Sequence, residues 1–224
     1  MAMPAVAKAD TTDLALVCDR CIGHAVMALG VAFTRQTGVR IDVFPTPSGL
    51  ILPQLAREVQ NDVVISLASR VAEGQARGLV LPAPMAGPWR NPLVLAIRRG
   101  RGTATARRVA ASDVTPGGAV DGVGLLARLN LHPEAVIGTH DGGEAAGLLA
   151  AGRADMALLH LSEVRADPHL AVARVVGTDI APAPVFSACL SALTRRPHPE
   201  AFLAFLASSP AGRMLAAHGL ETVA

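Results

Sequence analysis

Tyrosine is missing from this 224-residue chain, tryptophan occurs once and phenylalanine five times. That scarcity excludes a nucleic-acid surface built by stacking bases on aromatic rings. Lysine is nearly missing as well: the basic residues are almost all arginine, they are scattered, and the formal net charge is only +2. The short clusters Arg98-Arg99-Gly100-Arg101 and Arg107-Arg108 read as solvated turns, not as a phosphate-binding stripe. No apolar run approaches the ~20 residues of a membrane-crossing helix. A secretory signal is not visible either, because Met1 to Asp10 lacks an apolar core of the needed length. Pro4–Ala9 nevertheless has the small-residue look of a cleavage region, so a periplasmic chain that has shed its leader and a cytoplasmic chain both stay open. The three cysteines are an odd number, which argues against a disulfide framework. Cys189, inside an apolar run, reads as a small buried hydrophobe. No catalytic triad, Walker loop or carboxylate pair stands out, and the chain reads as a non-enzyme.

Core-forming material is plentiful: 51 % of the residues are apolar, supplied mostly by Ala, Val and Leu. Short apolar runs alternate with helical periods, the pattern of an α/β chain with parallel strands. Leu14–Val17, Val39–Phe44, Asp62–Ser66, Pro92–Ile97, Val109–Ala111, Asp155–Leu161, Val172–Val176 and Val185–Leu193 read as strands. Helical spacing runs through Val26, Leu29 and Phe33 and stops at Gly38, a natural C-cap. Ser48 reads as the N-cap of the next helix. Two proline-rich breaks, Pro82–Pro92 and Pro182–Pro184, bracket a middle segment the length of a small domain. A chain that leaves one lobe, builds a second and returns has this form. The expected division is 12–84 plus 194–224 for the first lobe and 92–182 for the second, with hinge segments near 85–92 and 182–193. A ligand would sit between the lobes, beyond the carboxyl ends of the strands.

Four loops follow strands and open helices: Cys18–Cys21, Thr46–Gly49, Thr115–Ala119 and His140–Gly143. Each offers unpaired backbone N–H groups at a positive helix end, a ready anion site. Around them the chain resembles the molybdate-binding periplasmic proteins. Leu14–Gly38, with its small-residue turn and a helix ending AFTRQTG, is similar to that family's first unit. VFPTPSG is similar to its F-G-S-S-G loop, NDVVISLA to its A-D-V-F-I-S-A strand, and NPLVLAIRRG to the strand that crosses between lobes. GLLAAGRADMALLHLSEV and FLAFLASSPAGRMLAAHGL resemble its two closing stretches, so the resemblance runs in order along nearly the whole chain. It implies a type II periplasmic-binding fold: two α/β lobes, each a mainly parallel sheet flanked by helices, joined by two crossing strands. It further implies a monomeric solute-binding component of an ABC importer that holds molybdate or tungstate, hands it to a membrane permease, and carries no cofactor.

In the family, two hydroxyls of the first lobe, backbone N–H groups of the second and a Tyr hydroxyl hold a tetrahedral oxyanion. Carried over, the hydroxyl positions fall on Cys21 and Ser48, the amides on Gly118 or Ala119 and on Gly142, and the Tyr on His160. Two positions depart. Cys21 replaces an O–H with a weaker S–H donor, whose pKa should fall at a helix start, and a thiolate would repel an anion. His160 can donate only in the right tautomer or when protonated. Asp19 and Asp141 flank the same loops and also disfavour a dianion. An alternative is therefore a transition-metal or thiophilic site for zinc or copper, formed by Cys18, Cys21, His140 and His160. A further alternative reads Cys18-Asp19-Arg20-Cys21 as a thioredoxin-like redox motif. His132, His169 and His198 read as surface-loop residues, His24 as facing solvent or supporting its loop, and Asp62 and Asp155 as structural carboxylates.

Overall fold

A computed structural model describes residues 12–102, 107–112 and 122–223. The chain opens with strand β1 (Leu14–Asp19), a 3-10 turn (Arg20–Ile22) and helix α1 (Gly23–Thr37). Strand β2 (Ile41–Thr46), α2 (Ser48–Ala56), β3 (Val63–Leu67), α3 (Ala68–Ala76) and β4 (Val80–Arg90) follow. The middle comprises β5 (Leu93–Arg98), β6 (Arg108–Ser112), α4 (Gly122–Arg128), β7 (Ala135–Thr139), α5 (Gly142–Ala150), β8 (Met156–His160), α6 (Leu161–Ala166) and β9 (Leu170–Val175). The last part holds β10 (Val185–Ser191), α7 (Pro199–Leu206), α8 (Ser209–Ala217) and β11 (Glu221–Thr222).

These strands form two sheets, ordered β11-β4-β10-β3-β1-β2 and β7-β6-β8-β5-β9. Each sheet is the centre of one lobe. Within the first, β2, β1 and β3 run parallel, whereas β10, β4 and β11 pair antiparallel. In the second, β7, β6 and β8 run parallel and β5 pairs antiparallel with β8 and β9. The two-lobed α/β fold is the one expected, with sheets that are mixed where the expectation had them mainly parallel. The expectation counted βα units; the strands that enter or leave a lobe from its far side run against those units.

Period-two alternation decides which face each side chain buries. Leu14, Leu16 and Cys18 of β1 face α1, α7 and α8, in a core with Phe33, Trp89, Phe202 and Leu215. Val17 and Val64 face the opposite way, onto Ile51, Leu52 and Leu55 of α2 and Val71 of α3. In the second lobe, Leu93, Leu95 and Leu158 pack on Leu125 and Leu126, while Val94, Ala96 and Ala157 pack on Ala145 and Leu149 of α5. Each fully buried large aliphatic or Phe side chain contributes about 1.5–3 kcal/mol by leaving water.

Gly38 ends α1 with φ 79°, its N–H bonded to the Thr34 carbonyl, as the sequence predicts. The proline-rich stretch expected to be a boundary is instead almost entirely β4, paired with β10 through shifts of register. Its prolines sit where the ladder is irregular, so their missing N–H groups cost little. Only Asn91 and Pro92 separate β4 from β5. The second crossing reaches β10 through Pro184, whose carbonyl accepts the Asn91 N–H at 3.0 Å. Ser48 is the first residue of α2 and Pro47 its cap, which corrects the N-cap expectation. Proline at that junction fixes φ and leaves the serine hydroxyl without a capping bond. Asp62 is fully buried, accepting from the Ala15 N–H at 2.9 Å and the Thr194 hydroxyl at 3.1 Å, and Asp155 accepts from the Arg107 and Arg108 N–H groups. Both are structural, as expected.

Candidate functional site

The carboxyl ends of the parallel strands carry the loops from which a site is built. β1 ends at Asp19, β2 at Thr46 and β3 at Leu67; β7 ends at Thr139 and β8 at His160. Among the described residues, hydrogen bonds join the loops of one lobe to those of the other. Arg20 Nη1 lies 2.5 Å from Asp141 Oδ2, and the Ser162 hydroxyl donates to the Cys21 carbonyl at 2.6 Å. The 3-10 turn that carries Cys21 therefore abuts α6, and the lobes face each other here.

Cys21 is half-buried in that turn. Burial, and then the carboxylates of Glu163 and Asp19, push its thiol well above the ordinary range. This corrects the expectation of a lowered pKa. The turn is followed by the helix, but acidic neighbours and the loss of water outweigh the helix end, so Cys21 is a neutral S–H donor at neutral pH. Gly23 lets α1 start close to β2, since a Cβ there would lie 2.9 Å from the Pro45 ring. Ser48 and Thr46 are buried on the same side of the first lobe, and no hydrogen bond to the Ser48 side chain occurs among the described residues.

Gly142 opens α5, where Asp141 is the N-cap and accepts the Glu144 N–H at 2.9 Å. A Cβ on Gly142 would overlap the Glu163 carboxylate, so only glycine allows this approach. His160 is buried at the end of β8, and its backbone N–H donates to Glu163 at 2.8 Å. Gly118 and Ala119 lie outside the described residues. The four residues of the metal reading are not gathered. Cys18 points into the core of the first lobe, His140 is exposed, and no group of three potential ligands is assembled among the described residues. Strand alternation explains Cys18: it has the same facing as Leu14 and Leu16. Burial raises its thiol pKa far above normal, which equally disfavours the thioredoxin-like reading, because that chemistry needs an accessible thiolate. The remaining free cysteine, Cys189, is buried as expected, and His24, His132, His169 and His198 are exposed.

The structure adds Glu163, which sequence reasoning missed, and gives Asp19 and Asp141, which it placed beside the loops, their surroundings. Asp19 is fully buried, with Oδ2 accepting from the Ser66 hydroxyl at 2.7 Å and the Leu67 N–H at 3.1 Å. Burial lifts its carboxyl to about 7, against those two hydrogen bonds and the Arg70 charge. Glu163 is likewise lifted to about 7, by burial against the His160 N–H bond, with Asp141 adding to the rise. Asp141 goes the other way: burial raises it, but the Glu144 N–H, the Arg20 guanidinium and the Gly143 N–H together hold it below the usual range. Asp19 Oδ1 and Thr139 Oγ1, both at strand ends, are buried without a hydrogen-bond partner among the described residues. Glu163 had a sequence signal: it stands three residues after His160, the spacing of a capping box.

Two α/β lobes thus bring helix starts and polar strand ends to face each other. Residues 14–221 match the model of the bacterial extracellular solute-binding protein family, and the chain belongs to that family. Its fold is that of the periplasmic molybdate-binding protein of Azotobacter vinelandii, with a TM-score of 0.77 and 20 % identity over 94 % of this chain and 100 % of that one. L-phospholactate-bound PEB3 of Campylobacter jejuni superposes with a TM-score of 0.70 and 15 % identity, covering 94 % of this chain and 100 % of that one. In sequence, the chain is similar to an aconitate isomerase from Pseudomonas sp, 23 % identical over 98 % of this chain and 92 % of that protein.

Proposed function

We propose that this chain is the ligand-capturing component of an ABC importer. In this reading it works in the periplasm as a monomer, closes on a small tetrahedral oxyanion of the molybdate class, and passes it unchanged to a membrane permease. The observation that carries the reading is the meeting of the Cys21 turn with α5 and α6 across the lobes, at the carboxyl ends of two sets of parallel strands. The nine-residue helix α5 starts at this place, with its Gly143 and Glu144 N–H groups taken by Asp141, and an anion there gains from the helix dipole. Cys21 as a neutral thiol and Ser48 as an uncommitted hydroxyl add donors. The acidic neighbours are less hostile than their number suggests. Arg20 balances Asp141, and carboxyls with pKa values near 7, those of Asp19 and Glu163, can keep a proton and donate it in a hydrogen bond.

A second reading is favoured by those same carboxyls and by the phospholactate- and aconitate-related neighbours. Here the ligand is a small organic acid, whose own hydroxyl or carboxyl would meet the unpartnered Asp19 oxygen. Thermal unfolding in millimolar molybdate, tungstate, sulfate, phospholactate or aconitate separates the two, because a ligand of the folded state raises Tm. Molybdate and tungstate should raise it most and sulfate least, with larger shifts at pH 6 than at pH 8. A shift with zinc or copper and none with any anion would overturn both readings. Conversion of one aconitate isomer to another, followed by proton NMR, would overturn the non-enzymatic part.

A further inference from the structure

Asn91 occupies the short connection between the two sheets, and it is fully buried. Its backbone N–H reaches the Pro184 carbonyl of the other crossing segment at 3.0 Å. Both ends of its side-chain amide bond to Ser162: Nδ2 donates to the hydroxyl at 2.8 Å, and Oδ1 accepts the Ser162 N–H at 3.2 Å. The Ser162 hydroxyl, itself 3 % exposed, then donates onward to the Cys21 carbonyl at 2.6 Å. The chain of bonds thus runs from the crossing strands, through the start of α6 in the second lobe, to the cleft turn of the first.

We infer that Ser162 is a positioning residue for ligand capture: it latches the Cys21 turn to the hinge, so that the lobes stay closed through a contact the ligand does not make. Asn91 orients the hydroxyl by accepting and donating to the same residue, which leaves the Ser162 proton free for one acceptor only. That acceptor belongs to the other lobe, so any separation of α6 from the 3-10 turn must break this bond. Breaking it takes the partner from the Ser162 hydroxyl and from the Cys21 carbonyl, the usual cost of one lost hydrogen bond. The neighbouring Arg20–Asp141 pair also spans the lobes, but its side chains are 52 % and 35 % exposed. Salt screens such a pair and its contribution is small. Of these two hydrogen-bonded ties the serine is the one that salt does not screen, and capture is weakened in proportion to whatever fraction of the protein is open. The inference rests on the two-lobed fold and not on the nature of the ligand.

The test uses the ligand-free protein and its own three thiols. Alkylation with iodoacetamide, followed residue by residue with mass spectrometry, should be roughly tenfold faster at Cys21 in Ser162→Ala than in the wild type, from the usual cost of one lost buried hydrogen bond. Cys18 and Cys189, which are buried inside the first lobe, should keep their wild-type rates. The radius of gyration from small-angle scattering should rise with the same substitution, and Ser162→Thr, which keeps a hydroxyl, should behave as the wild type. In the wild type and in Arg20→Ala, raising the salt to 1 M should leave the Cys21 rate nearly unchanged. Equal Cys21 rates in wild type and Ser162→Ala overturn the inference. So does a joint rise at all three cysteines, which would make Ser162 a general support of the fold. A strong salt dependence in the wild type transfers the latch to Arg20 and overturns it independently of the variants.

Discussion

The first lobe packs Phe33 edge-on against Phe202, with ring centroids 5.2 Å apart, and adds Phe205 and Trp89 to the same core. Between Leu93 and Val176 the second lobe has no aromatic residue at all, and Ala and Leu fill both faces of its sheet. The two lobes also anchor a strand with an aspartate in contrasting ways. Asp62 is 0 % exposed and ties β1 to the segment around Thr194. Asp155 does the matching work in the second lobe with a side chain 32 % exposed, bonded to Arg108 and two backbone N–H groups. The contrast says where stability is stored. The lobe assembled from both ends of the chain relies on large interlocking side chains and buried polar ties, whereas the contiguous lobe relies on close approach of small ones.

The sharpest attack on this comparison is a pair of truncations. Phe202→Ala should cost about 3–5 kcal/mol and Leu126→Ala about 2–4 kcal/mol, from the usual cavity penalties. Denaturant unfolding followed by Trp89 fluorescence and by circular dichroism measures both. A larger loss for Leu126→Ala would reverse the assignment of the stronger core. The two aspartates come next. Asp62→Ala removes a buried carboxylate and should cost about 3 kcal/mol, while Asp155→Ala should stay near the ~1 kcal/mol typical of exposed ion pairs. Equal losses would dissolve that part of the contrast. For Asp155 the folded pKa is depressed to about 2, chiefly by the Arg108 hydrogen bond. Its contribution is therefore complete above pH 4 and fades only as pH falls toward 2.

A smaller effect tests the cleft. Asp19 is raised to about 7 in the fold, so the folded state holds a proton that the unfolded chain releases near pH 4. Stability from this group is complete below pH 4, is lost progressively as pH rises from 4 through 7, and the loss is complete above that. Asp19→Asn, which cannot ionise, should raise Tm by several degrees at pH 8, by less at pH 5, and leave it unchanged below pH 4. An equal effect across that range would mean that the carboxyl ionises normally.

Much of the fold was legible because periodicity reports local facing. Val63–Ile65 and Met156–Leu159 are buried strands, and the Gly38 stop and the α5 start at Gly142 fall where caps and glycines put them. What escaped depends on partners distant in sequence. Nothing local in Pro82–Pro92 reveals a strand, because its pairing with β10 joins residues some hundred positions apart. The same holds for the cleft. Cys21 and His160 could be read from their loops, but the rise in the Cys21 thiol pKa comes largely from burial and from Glu163 in the other lobe. Ser162 and Asn91 look unremarkable in sequence, and their bond is between residues 71 positions apart.

The strand order of the first sheet has a consequence for how the molecule is made. Its central strand β3 lies between β1 and β10, and β10 is written near the end of the chain. During synthesis, or while being threaded through a membrane pore, residues 14–90 emerge early yet find their antiparallel neighbour and the Phe202 side chain only last. The intervening lobe, contiguous from β5 to β9, can complete its sheet as soon as it appears. The amino-terminal third is consequently exposed, with a strand edge unpaired, for most of the chain's emergence, and this is the interval in which a holding chaperone would act.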